Sequence, residues 1–92
     1  MLKTDIVRAI AIKGGISYLD AEDFVNIMFE AFIQAFLREE RIAIRDFGSF
    51  TIRHYREYIS QDPRTGTPVT ASAKRLPYFR AGRDLLKRIN KR

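Results

Sequence analysis

The sequence predicts an α+β fold with a helical first part followed by strands, the longest of which form a two-stranded ribbon. Two observations carry this: apolar side chains recur at helical spacing through residues 1–40, and from Arg41 through Ile52 the pattern alternates as strands do. A third, the change of charge sign between the two halves, bears on the partner. Residues 1–40 hold four basic and seven acidic side chains, a net of −3, while residues 41–92 hold thirteen basic and four acidic, a net of +9. A basic half joined to an acidic one points to a polyanionic partner, nucleic acid first and an anionic membrane surface second.

The first helix is expected from Lys3 to Lys13, where Ile6, Val7, Ile10 and Ala11 share a face. Gly14-Gly15 ends it, because glycine accepts the left-handed C-cap conformation. Ser17 reads as the N-cap of a second helix, with Asp20 as its capping-box partner. Asp20, Glu22 and Asp23 crowd the first turn, where the helix dipole favours negative charge; that explains them better than a metal site does. This helix runs to Arg38 with two apolar stripes, one of Phe24, Met28, Ala31, Phe32 and Ala35, the other of Ala21, Val25, Phe29 and Ile33. It is too apolar for the surface of a 92-residue monomer, so it is expected to pack on its own subunit and on a second chain.

From Arg41 to Arg45 the pattern alternates as in a half-buried strand, and Asp46-Phe-Gly-Ser49 is a tight connection. A longer strand is expected from Ser49 to Ile59, a hairpin tip over Gln61–Gly66, and a return strand from Pro68 to Leu76 that Pro77 breaks. A short basic helix from Ala81 to Asn90 closes the chain. Beyond Ile52 the ribbon residues are mostly polar, small or charged, so they cannot bury a core face. A two-stranded ribbon without a core is marginal in water; it is expected to be an extended arm that a partner orders.

The remaining features bound the function. The chain has no Cys, which excludes disulfides and Cys-based zinc. No apolar run reaches the roughly 18 residues of a spanning helix, and the start lacks a signal-peptide core. No nucleophile elbow, phosphate-cradling glycine loop or metal spacing is present, so an enzyme is not expected and no cofactor is. His54 is the single histidine and reads as a strand residue near the arm base. A cytoplasmic protein without a small-molecule substrate or a membrane partner is the plain expectation.

Phe47-Gly48-Ser49-Phe50, Asp62-Pro63-Arg64-Thr65-Gly66 and Pro77-Tyr78-Phe79-Arg80-Ala81-Gly82, followed by Leu85, resemble in order and spacing the HU/IHF family of bacterial histone-like DNA-binding proteins. The resemblance spans essentially the whole chain. It implies an intertwined homodimer with a helical body, a small antiparallel sheet and two extended β-ribbon arms that reach into the minor groove of double-stranded DNA. On this reading, 1–40 is the helical dimerisation part, 41–52 and 75–80 the sheet floor, 53–74 the arm and 81–92 the basic C-terminal helix. Pro63 falls at the family's intercalating wedge. The DNA-contacting positions would be Lys3, Gly48, Arg53, Arg56, Pro63, Arg64, Thr65, Lys74, Arg75, Arg80, Arg83 and Lys87. Phe29, Phe32, Phe36, Phe47, Phe50 and Phe79 would build the dimer core. The implied activity is non-sequence-specific DNA bending or compaction in the nucleoid.

The sequence departs from the family pattern where DNA contact is concentrated. Tyr55, Tyr58, Gln61, Thr67 and Thr70 stand where basic residues are common, Asp62 replaces an Asn and Asp46 replaces a Gly. Weaker or differently shaped bending is therefore expected, with Lys74, Arg75, Arg80 and Arg83 supplying more of the affinity. Pro63 also suits a plain turn. Tyr55 and Tyr58 fit either base or sugar stacking or cross-strand pairing. The alternatives are a protein-interaction module that kept the fold, and a sequence-specific IHF-like protein; RNA and membrane binding fit less well.

Overall fold

The computed structural model describes residues 1–91, and the expected C-terminal segment 81–92 therefore ends on a residue, Arg92, outside the described ones. The chain forms two compact units, Met1–Leu37 and the part from Arg38 onward.

The first unit is a pair of helices, α1 (Lys3–Gly14) and α2 (Tyr18–Leu37). Asp5 caps α1 by accepting the Leu2 backbone N–H at 2.7 Å. Gly15 ends α1 in the left-handed conformation, φ 64°. The Asp20 N–H donates to Ser17 Oγ at 3.1 Å, so Ser17 caps α2 as its sequence position predicts. Val7 of α1 packs on Ala21 and Val25 of α2, with Ile6, Ile10, Ala11 and Phe29 around them. The core is small. Much of the apolar surface of α2 stays open within one chain, with Phe24 59 % and Ile27 70 % exposed.

The second unit contains β1 (Ile42–Ile44), β2 (Gly48–Tyr55), β3 (Tyr58–Gln61), β4 (Pro68–Ala71), β5 (Lys74–Ala81) and α3 (Arg83–Ile89). β1, β2 and β5 form an antiparallel sheet in that order, and β3 pairs with β4 in a separate ribbon. Three expectations are corrected here. The outgoing strand is not continuous to Ile59, because Arg56-Glu57 and, opposite them, Ser72-Ala73 lie outside the ladder. The register nevertheless carries across the gap, from Tyr55 opposite Lys74 to Tyr58 opposite Ala71. Nor does Pro77 break the return strand: it sits inside β5, opposite Ile52. β5 is an edge strand of its sheet, where the missing proline N–H leaves no neighbour unpaired. Ala81 belongs to β5 rather than to the last helix, which begins one residue after its cap Gly82.

One face of the three-stranded sheet is apolar. Phe79 lies opposite Phe50 with ring centroids 4.8 Å apart, and Phe47 reaches Phe79 at 5.4 Å. Gly48 makes room for this cluster, since a Cβ there would come within 2.5 Å of the Arg80 carbonyl oxygen and 2.7 Å of the Phe79 ring. The Gly82 N–H donates to the Phe47 carbonyl at 2.8 Å and ties the β1–β2 turn to the start of α3. Phe47, Phe50 and Phe79 thus form a cluster within one chain, while Phe32 and Phe36 of α2 make an edge contact at 6.5 Å.

Candidate nucleic-acid interface

Side chains alternate between the faces of a strand, and the register fixes which of them meet. Ser49 lies opposite Arg80, Thr51 opposite Tyr78, Arg53 opposite Leu76 and Tyr55 opposite Lys74. These pairs share the face opposite the phenylalanine cluster. On it, Arg41, Ser49, Thr51, Arg53, Tyr78 and Arg80 line a shallow recess of about 350 Å³. The Arg53 guanidinium lies over the Tyr78 ring, 3.4 Å from its centroid. A second, larger groove of about 870 Å³ runs between β1, the strand ends and α3; Arg41, Arg45, Arg80, Arg83 and Lys87 line it together with Asp46 and Asp84.

Of the twelve positions that the resemblance marks, Arg53, Lys74 and Arg80 therefore share the polar sheet face, and Arg83 and Lys87 join Arg80 around the groove. Lys74 and Arg75 do not act as one cluster. They alternate to opposite faces, and Arg75 lies opposite His54, where Glu39 binds both: His54 Nε2 donates to Glu39 Oε1, and Arg75 is 3.8 Å from the same oxygen. Arg56 lies in the gap between the two ladders. Lys3 opens α1, in the other unit, and is exposed. Gly48 is half-buried and shapes the Phe79 contact.

Pro63, Arg64 and Thr65 sit together at the ribbon tip, all exposed. Asp62 organises this turn: its carboxylate accepts the Arg64 N–H at 2.9 Å, its backbone N–H donates to the Thr67 carbonyl at 2.9 Å, and its carbonyl accepts from Gly66 at 2.7 Å. Thr65 and Thr67 hydroxyls bond at 2.9 Å. The tip holds its shape through local polar bonds, and Gly66 supplies the left-handed residue at φ 72°.

Sequence reasoning passed over Arg41 and Arg45. The signal was present, since the alternation Arg41-Ile-Ala-Ile-Arg45 puts both arginines on the polar side of β1. Near the sheet, Arg38 donates to Glu40 at 2.8 Å and holds that carboxyl below the usual carboxylate range. Among the described residues no cluster of three metal-ligating side chains occurs, and no helix is long and apolar enough to cross a membrane.

A basic sheet face, a projecting ribbon and a groove lined by cationic side chains define a nucleic-acid-binding class of fold. Comparison with known proteins gives the family. Residues 1–90 match the family described as bacterial DNA-binding protein. The chain is 37 % identical to integration host factor subunit beta of Halorhodospira halophila over 91 residues, which cover 98 % of this chain and 89 % of that one. Its fold is similar to that of HU in an Anabaena HU–DNA cocrystal structure, with a TM-score of 0.89, 25 % identity and 100 % of both chains covered. It is also similar to an HU point mutant from Thermotoga maritima, with a TM-score of 0.72, 23 % identity and 98 % and 100 % of the two chains covered. The chain belongs to the HU/IHF family of bacterial DNA-binding proteins, whose members are architectural proteins of the nucleoid rather than enzymes.

Proposed function

We propose that this protein binds duplex DNA as a homodimer on the polar face of its sheet, and that its two ribbon arms enter the minor groove and bend the duplex with little sequence preference. The observation that carries the reading is the gathering of Arg41, Arg53 and Arg80 on one sheet face, at the root of an exposed ribbon whose tip is Pro63. The open apolar side chains of α2 support a second copy as the cover of that helix. A cytoplasmic site of action, in the nucleoid, goes with this role.

The two parts of the interface do different work. Arginines on the sheet neutralise phosphates and release counterions, so they set a salt-dependent and sequence-independent affinity. The minor groove distinguishes mainly A·T from G·C pairs, so arms placed there discriminate little. A proline wedge at a base step costs a few kcal/mol of unstacking, which is offset by the larger protein surface that bent DNA touches. Lys3, Arg56, Arg64, Thr65, Lys74, Arg83 and Lys87 extend the interface along the body and arms, while Arg75, on the other face beside Glu39, stays outside it. The identity with an integration host factor subunit favours one second reading, sequence-specific binding with a related partner subunit. Fluorescence-anisotropy titrations of duplexes of several sequences, at low and moderate salt, test the proposal. Tight, salt-sensitive and sequence-tolerant binding supports it; strong preference for one sequence favours the second reading; no binding at low salt contradicts both.

A further inference from the structure

Two sets of arginines in this chain contrast. Arg8, Arg38, Arg75 and Arg88 each lie within 4.0 Å of a carboxylate. Arg41, Arg53 and Arg80 line one recess and form no ion pair among the described residues, and no carboxylate lines that recess. Like charges gathered on one sheet face repel, so a site of this kind favours an anion. Ser49 and Thr51 add hydroxyl donors to the same lining. Planar donors with neighbouring hydroxyls suit the tetrahedral oxygens of a phosphate.

Tyr78 gives the recess its order. It lies opposite Thr51 and diagonal to Arg53, and its ring holds the Arg53 guanidinium at 3.4 Å. A flexible arginine so stacked loses less rotamer freedom when it binds, which strengthens each hydrogen bond that it then forms. We propose that this recess seats one phosphodiester of the DNA backbone, with Arg41 as a binding residue outside the positions that the family resemblance marks, and with Tyr78 as a positioning residue that acts through Arg53. The proposal rests on the DNA-binding reading and names a contact within it.

The test is the salt dependence of duplex binding by the full chain and by Arg41→Ala, Arg53→Ala, Tyr78→Phe, Tyr78→Leu and the Arg53→Ala/Tyr78→Leu double variant, each checked for fold by circular dichroism. Arg41→Ala is expected to weaken binding several-fold and to reduce the slope of log Kobs against log salt by about 0.9 for each phosphate that the protein no longer neutralises. Tyr78→Phe keeps the ring and is expected to bind as the parent does. Tyr78→Leu is expected to weaken binding in the parent and to add nothing once Arg53 is gone. An unchanged slope in Arg41→Ala overturns the phosphate seat while leaving DNA binding intact. A Tyr78→Leu effect that persists without Arg53 overturns the positioning role. Failure of the parent chain to bind any duplex at low salt removes the DNA reading and this proposal with it.

Discussion

The sheet β1-β2-β5 and the distal ribbon β3-β4 lie on one continuous register yet differ in almost every physical respect. The sheet has an apolar face built on Phe47, Phe50 and Phe79, and a polar face with Arg41, Arg53 and Arg80. Every residue of the ribbon strands except Ala71 is exposed. Between Tyr55 and Ala73 two arginines are matched by Glu57 and Asp62, so the stretch has no net charge. The contrast shows how one hairpin can carry two roles. Its root is held by packing and gathers the charge; its distal part has neither a core nor net charge, so on the proposed reading it contributes little to folding or to salt-dependent affinity and its role is to shape the duplex.

The largest way to break this contrast is to damage the root. Gly48→Val would drive a side chain into the Arg80 carbonyl and the Phe79 ring, and a destabilisation of about 3 kcal/mol is expected from overpacking at a site that cannot relax. Phe79→Ala, which removes a ring shared by Phe47 and Phe50, should cost about 2 kcal/mol, less than for a fully buried phenylalanine because Phe79 is partly exposed in one chain. Val69→Ala in the ribbon should stay within about 0.5 kcal/mol. Denaturant unfolding of the three variants checks the order, and a ribbon change as costly as a sheet change would refute the contrast.

A smaller effect comes from Asp46, a non-glycine residue at φ 65° in the turn beside Gly48. Asp46→Gly relieves a left-handed conformation that costs an L-residue roughly 1 kcal/mol, and it removes a negative charge from the rim of the basic groove. Higher thermal stability and several-fold tighter DNA binding are expected together. In the arm, Asp62→Asn should raise affinity less, because the amide oxygen can still accept the Arg64 N–H while the charge is removed. The smallest effect belongs to Glu40. Its carboxyl is held below its ordinary range by Arg38, so any stability it adds is present above the pKa of a free glutamate and is lost as pH falls through the lowered value. Both side chains are exposed to solvent, so Glu40→Gln should move an acid-unfolding curve barely at all.

Much of the fold was legible because its signals are local. Ser17 and Gly15 sit where a helix must begin and end, and the Gln61–Gly66 tip follows from its turn residues. What stayed hidden depends on pairing. Pro77 reads as a stop in isolation, and only the strand order shows that it occupies an edge. Lys74 and Arg75 read as one basic cluster until the register sends them to opposite faces, where Glu39 takes up Arg75 from a distant position in the chain. The stack of Arg53 on Tyr78 joins residues of two strands and has no sequence signature. Arg41 and Arg45 were readable from alternation alone.

The division between a charged root and a neutral, shape-setting arm is tested most directly by a short duplex labelled at both ends, titrated with the parent chain and with Pro63→Ala while binding and end-to-end energy transfer are read together. The account predicts that the parent draws the ends together, and that Pro63→Ala binds with nearly the same affinity and salt slope but draws them together less. Equal bending by Pro63→Ala, or loss of binding in step with loss of bending, would contradict it.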